Sequence, residues 1–181
     1  MQKVVIERLS QELNKKGVLW GIGGSHVLYE HGLDVRPGDV DLVIAVEDSE
    51  KAMGVLDRIA EKLTSETKSP YKTKHFTTYQ IEDVTIDFMA GFAIEHDSGV
   101  YELTLDEESI ADHKENIPYT FLEDWFVLYQ LIPKKGEKAD FIESYWKENG
   151  VENPPLLKRA FDQPLPEMVK QRIQKCLSLM R

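Results

Sequence analysis

Three stretches decide how this chain reads: GIGGSHVLYEHGL at 21–33, RPGDVDLVIAV at 36–46 and VTIDFMAGF at 84–92. The first joins an apolar run at 18–22 to Gly23-Gly24-Ser25, with Val27, Leu28 and Leu33 behind it. That pattern predicts a strand, a turn and a helix. The glycines permit positive φ and let a ligand approach the backbone closely. The helix start presents free N–H groups that suit phosphate, and Ser25 adds a hydroxyl. A tight turn with Ser25 as a helix cap would use the same residues. No Lys follows the run, so it is not a Walker A loop, and it does not match the dinucleotide fingerprint.

The second stretch holds VDLVIAV at 40–46, a β-branched run typical of a strand covered on both faces. Asp39 and Asp41 flank Val40 at its opening, and residues two apart in a strand share a face. Like charge and desolvation both oppose ionising such a pair. A hard divalent cation such as Mg²⁺ resolves the conflict, because it takes carboxylate oxygens and brings substrate phosphates with it. The plainer alternative is a pair of acids fraying the strand start after Arg36-Pro37-Gly38. In the third stretch Asp87 places a charge inside an apolar strand, where it needs a partner. If the two strands are neighbours, three carboxylates converge beside a phosphate turn. Such a set describes a two-metal phosphoryl or nucleotidyl transfer site.

Gly-Gly-Ser, then Asp39-Val40-Asp41-Leu42, then a further Asp on a later strand resembles the nucleotidyltransferase superfamily, over roughly residues 15–95. That group includes polymerase-β-like, minimal and antibiotic nucleotidyltransferases and AbiEii-like toxins. The resemblance implies an α+β fold, a mixed sheet flanked by helices and followed by a small helical C-terminal region. It implies that Gly23, Gly24 and Ser25 hold the triphosphate of a nucleoside triphosphate. Asp39, Asp41 and Asp87 would be the catalytic and metal-binding carboxylates. With nucleotide bound they would hold two Mg²⁺ ions, Asp87 also helping to activate the acceptor hydroxyl. The implied activity moves a nucleoside monophosphate from the triphosphate to an acceptor hydroxyl. The alternatives are a catalytically silent binding or regulatory protein of the same fold, and one member of a toxin–antitoxin pair.

Around these motifs the chain divides into residues 1–106, of mixed α and β character, and residues 107–181, all helical. Val4, Val5, Leu9 and Leu13 predict a first helix ending at Lys15-Lys16-Gly17. Asp48-Ser49 predicts a cap for a helix reaching about Leu63. Strands are predicted at 71–81, 84–94 and 100–105, with Glu82-Asp83 as the turn between the first two. Thr120 predicts a cap for the helix FLEDWFVLYQLI, which Pro133 stops. A helix at 138–146 and two further helical stretches, divided by Pro154-Pro155 and Pro164/Pro166, complete the chain.

Composition narrows the partners. The chain has 181 residues and a net charge of -10, with 32 acidic against 22 basic side chains. This acidity argues against broad phosphate-backbone binding, so a small-molecule acceptor is favoured over nucleic acid. Cys176 is the single cysteine, so no disulfide closes within the chain, and no signal peptide or membrane span is legible. A cytoplasmic setting is expected, and the oligomeric state is left open.

Other candidates have competing roles. Arg36, Lys134, Lys135 and Lys138 either neutralise phosphate or are solvated. Glu123 and Asp124 either favour the start of their own helix or supply a base. The cluster Phe121, Trp125, Phe126 and Tyr129 reads as core, and Cys176 as packed and inert. His26 and His31 are misaligned for metal on one helix face.

Overall fold

The computed structural model describes residues 1–64, 66–111 and 114–179. Five strands form one mixed sheet: β1 (Trp20–Gly23), β2 (Val40–Ile44), β3 (Glu61–Lys62), β4 (His75–Ile81) and β5 (Val84–Ala90), in the spatial order β1-β2-β5-β4-β3. β2 and β5 run parallel and the other neighbours antiparallel. A parallel pair needs a crossover. It is supplied here by helix α3 (Ser49–Ile59) followed by β3 and β4.

Alternation along the strands separates two cores. Val40, Leu42, Ile44, Ile86 and Phe88 pack with Val5, Leu9 and Leu13 of helix α1 (Gln2–Lys15) and with Val55 and Leu56 of α3. On the other face Val43 and Met89 join Val27 and Leu28 of helix α2 (Ser25–Glu30) and the C-terminal helices. Those are α4 (Leu122–Leu131), α5 (Gly136–Asn149), α6 (Pro154–Phe161) and α7 (Glu167–Leu177).

Several sequence expectations shift. The run at 18–22 yields a strand over Trp20–Gly23, and that at 40–46 a strand ending at Ile44. The helix expected to reach Leu63 stops at Ile59, because Ala60 is extended and Glu61–Lys62 pair with Gln80 and Tyr79. The strand expected at 84–94 breaks at Gly91, whose φ of 65° turns the chain away. Beyond it β6 (Ala93–His96) and β7 (Gly99–Glu102) form a separate two-stranded sheet, in place of a strand at 100–105. The strand expected from 71 begins at His75, and Tyr71 makes only an isolated bridge to Ile94. The turn at Glu82-Asp83 is as expected, with Ile81 opposite Val84.

Two expected caps serve longer-range purposes. Asp48 Oδ2 accepts the Leu19 N–H at 2.8 Å, so it ties α3 to the start of β1 instead of closing its own helix. Thr120 donates its hydroxyl to the Ile22 carbonyl at 3.0 Å and accepts the Trp125 indole N–H at 2.8 Å. Residues 118–120 also run beside β1, with Ile22 N–H on the Pro118 carbonyl and Thr120 N–H on the Ile22 carbonyl. This segment covers the sheet edge that β1 would otherwise leave open.

Glu123 and Asp124 lie in the first turn of α4 but are buried, not exposed at a helix end. Glu123 Oε1 accepts the N–H groups of Glu152 and Asn153 at 2.8 and 2.7 Å, so it fixes the turn that starts α6. Arg172 of α7 bonds Glu143 and Asp140 of α5, each at 2.6 Å. Cys176 is buried as expected, with burial pushing its thiol up to about 11. Among the described residues no helix is long and apolar enough to cross a membrane.

Gly23 shows how tightly α4 is seated, because a Cβ there would collide with the Trp125 ring, itself anchored by Thr120. Gly23→Ala should cost roughly 1–3 kcal/mol by overpacking. For a chain of this length that lowers Tm by about 3–10 °C. Thermal denaturation followed by circular dichroism checks this, and an unchanged Tm would contradict the described packing.

Candidate active site

Strand register assembles the site. Gly23 lies opposite Asp41, Asp41 opposite Asp87, and Asp87 opposite Thr78. One row thus crosses four strands, from β1 through β2 and β5 to β4. Residues directly opposite share a face, and this is the face toward the C-terminal helices. The next row on the same face carries Gly21, Val43, Met89 and Phe76. Asp41 and Asp87 are therefore neighbours by backbone pairing alone. Asp39 sits one residue outside β2 and is exposed, so it borders the row without belonging to the strand.

Gly24 turns the chain from β1 into α2 with φ 62° and ψ -141°, a conformation that favours glycine. A Cβ at Gly24 would collide with the Asp41 carboxylate, which lies directly against this turn. Ser25 opens α2. Its hydroxyl accepts from the Lys138 ammonium at 2.6 Å. Lys138 also stands 5.2 Å from the centre of the Tyr129 ring. Gly23, Gly24, Ser25, Asp41 and Asp87 are thus brought together, and Lys138 joins them from α5.

The electrostatics follow from burial. Asp41 is pushed up to about 7, first by desolvation, then by the charges of Asp87 and Asp39; Lys138 and Lys135 oppose the shift. Asp87 is also raised, again chiefly by burial, although the Thr78 hydroxyl donates to it at 2.9 Å. Burial and neighbouring Lys135 lower Lys138. The Tyr129 hydroxyl is raised by burial and by Asp41. Two partly enclosed carboxyls therefore share a row with too little positive charge to ionise both comfortably.

A cleft of about 590 Å³ opens over this row, in the range of small-molecule sites. The carboxylates and Ser25 form its floor, and Trp125, Tyr129, Ile132, Lys135 and Lys138 contribute from the C-terminal half. Arg36 reaches its rim, whereas Lys134 does not line it. A cation held by oxygen donors suits the chemistry of the Asp41–Asp87 pair, whose ionised form it would stabilise. Among the described residues, however, no three His, Cys, Asp or Glu side chains are grouped to hold a metal ion in the present side-chain arrangement.

Sequence reading undervalued four residues. Trp125 and Tyr129 are core residues, as read, but they also wall the cleft. Tyr71 and Phe76 line it from the loop before β4 and from β4 itself. The only sequence signal for them is alternation, which puts Phe76 and Thr78 on one face without saying which.

No family model matches the chain, and no curated protein matches it. Solved structures do. A provisionally assigned nucleotidyltransferase from Thermotoga maritima, TM1012, superposes with a TM-score of 0.60 at 18% identity, over 81% of this chain and 93% of that one. The ANT(2″)-Ia complex with adenylyl-2″-tobramycin gives 0.57 at 11% identity, covering 96% and 97%. The lincosamide antibiotic adenylyltransferase LnuA, lincomycin-bound, gives 0.51 at 15%, covering 80% and 98%. At these identities the likeness is one of architecture: a mixed sheet with flanking helices and a helical C-terminal region, which is the α+β fold of the nucleotidyltransferases.

Proposed function

We propose that this protein is a Mg²⁺-dependent nucleotidyltransferase that moves a nucleoside monophosphate from a nucleoside triphosphate to the hydroxyl of a small molecule. The observation that carries the reading is the row Gly23–Asp41–Asp87, with the glycine turn and Lys138 at its β1 end. The neighbours with an adenylylated or bound antibiotic, ANT(2″)-Ia and LnuA, support a small acceptor. A cytoplasmic setting suits a chain whose one cysteine is buried and unpaired.

In this reading residues 1–106 supply the glycine turn and the metal groups, and residues 107–181 the opposite wall together with Lys138. Backbone at Gly23 and Gly24, the Ser25 hydroxyl and Lys138 hold the triphosphate tail. Asp39, Asp41 and Asp87 would hold two Mg²⁺ ions, which would supply positive charge against the charge that develops during transfer. Asp87, positioned by Thr78, accepts the acceptor's hydroxyl proton. The freed oxygen forms a bond to the α-phosphorus while the α–β bridging bond breaks, and pyrophosphate leaves with that electron pair. Proximity and alignment in the walled cleft supply much of the rate. A catalytically silent version of the fold would have no use for a paired, partly enclosed Asp41 and Asp87.

Phosphate binding is tested by thermal shift. A nucleoside triphosphate with Mg²⁺ should raise Tm by mass action on the folded state, and the monophosphate should do much less. Lys138→Met should weaken the triphosphate about tenfold, about 1.4 kcal/mol. Equal shifts for both nucleotides, or none, would refute the phosphate turn. Product mass after incubation with Mg²⁺ and candidate alcohols tests turnover.

The carboxylates make a separate prediction. Asp41 is raised when folded, so in chelator its stabilising contribution is complete below its unfolded pKa and is lost as pH rises through about 7. Asp41→Asn should flatten that dependence and melt at or above the wild type at pH 8. The ceiling is ~4 kcal/mol, less where cleft water screens the charge. The same variant should lose stabilisation by Mg²⁺. A variant less stable in chelator with its Mg²⁺ response intact would end the metal reading.

A further inference from the structure

The order of groups along the catalytic row, taken with the nucleotidyl-transfer reading on which this inference rests, says where the acceptor enters and what it is. From β1 to β4 the row runs Gly23, Asp41, Asp87, Thr78. The triphosphate tail belongs at the β1 end, where Gly24, Ser25 and Lys138 stand. Attack at phosphorus is roughly in line with the leaving group, so the incoming oxygen lies on the side away from pyrophosphate. The acceptor therefore approaches over β4.

That end of the cleft is aromatic. Phe76 shares the cleft face with Thr78, one pleat further along β4, and Tyr71 stands before the strand; both are half-buried. Behind them the rings form an unbroken wall. Tyr71 is 6.0 Å from Phe92, Phe92 is 6.5 Å from Trp125, and Trp125 is 5.7 Å from Tyr129. Tyr71, Phe76, Phe92 and Trp125 line the same cleft as Asp41 and Asp87, which places the wall beside the reacting groups.

The charges lining the cleft point the same way. Apart from the three aspartates, Glu66 is the one acid among the described lining residues, against Arg36, Lys68, Lys135 and Lys138. Aromatic faces do attract a single cation, but the Tyr129 face already has Lys138 over it. A compound with several ammonium groups would need several carboxylates, and beyond the three aspartates the described lining offers it Glu66 alone.

We infer that the acceptor is an uncharged compound whose hydroxyl is carried on an aryl or other apolar ring framework packed against Tyr71 and Phe76, and that the cleft turns away polycationic amino sugars. The specificity-determining residues are Tyr71 and Phe76, with Thr78 positioning Asp87.

Calorimetric titration of the full chain, with Mg²⁺ and a non-hydrolysable nucleoside triphosphate analogue present, tests this. The probes are two uncharged aryl alcohols, chloramphenicol and 2-(2-naphthyl)ethanol, and the polycation tobramycin. At least one aryl alcohol should bind and tobramycin should not. Phe76→Ala and Tyr71→Ser should each weaken the aryl alcohol about tenfold, the scale of a lost ring contact. The thermal shift given by the nucleotide analogue should stay unchanged in both. Phe76→Leu, which keeps apolar bulk but removes the ring, gives the same readout should Phe76→Ala fail to fold. Three results would overturn the inference: tobramycin binding more tightly than both alcohols, no probe binding, or the variants losing the nucleotide shift, which would assign the wall to the base. In each of these the wild type still responds to nucleotide and the transfer reading stands. A wild type without any nucleotide response would instead overturn the transfer reading, and this inference with it.

Discussion

The carboxylate of Asp41 lies against the backbone of Gly24, and the rest of the site is arranged around that contact. It requires a residue without a Cβ at position 24 and a positive φ there. The antiparallel pairing of β1 with β2 then delivers the glycine turn to the start of the row. Enclosing a carboxylate in this way is unfavourable, and Asp87 beside it makes matters worse. A folded protein keeps such an arrangement where ligand binding repays it. Lys138 opposes the charge only partly, because its own ammonium is desolvated and is engaged by Ser25.

Much of this was legible locally. Gly23-Gly24-Ser25 between an apolar run and a helical pattern, and paired acids at the mouth of a β-branched strand, are short-range signals that folding leaves in place. Asp87 was legible as a charge where an apolar strand should carry none. What escaped was long-range. Lys138 lies 113 positions from the serine it contacts, and in sequence it is one of several lysines after a proline stop. Phe76 and Thr78 gain their meaning only from pairing with β5. Gly91 was the visible punctuation that should have divided the strand expected at 84–94. Asp48 and Thr120 have the chemistry of helix caps, but Asp48 accepts the N–H of Leu19 just before β1, and Thr120 bonds the Ile22 carbonyl and the Trp125 indole.

The C-terminal helices are joined to the sheet and to each other by buried polar groups as well as apolar contact. Glu123 holds the turn before α6, and Asp124, enclosed nearby, is raised to about 7 by burial against the opposing charge of Arg159. Arg172 lies over the Phe126 ring at 5.2 Å while bonding two acids of α5. Removing one partner from such a group leaves a buried charge unmatched, which costs more than the contact itself contributed. The wall that carries Trp125, Tyr129 and Lys138 is therefore held as a unit.

The division into two cores also sets an order of events during synthesis. The face packed by α1 and α3 draws mostly on residues up to about Ala90, with Ile117 and Tyr119 added later, so most of it can close early as the chain leaves the ribosome. The opposite face, with Val43, Met89 and Phe92, meets α2 early but is not fully covered until α4 and α5 have emerged. At roughly 5–20 residues per second that interval lasts several seconds. Throughout it the nascent chain displays an apolar sheet face with two carboxylates embedded in it. Those charges, costly in the finished molecule, would be fully hydrated at that stage and would make the uncovered face a poorer surface for another chain to adhere to.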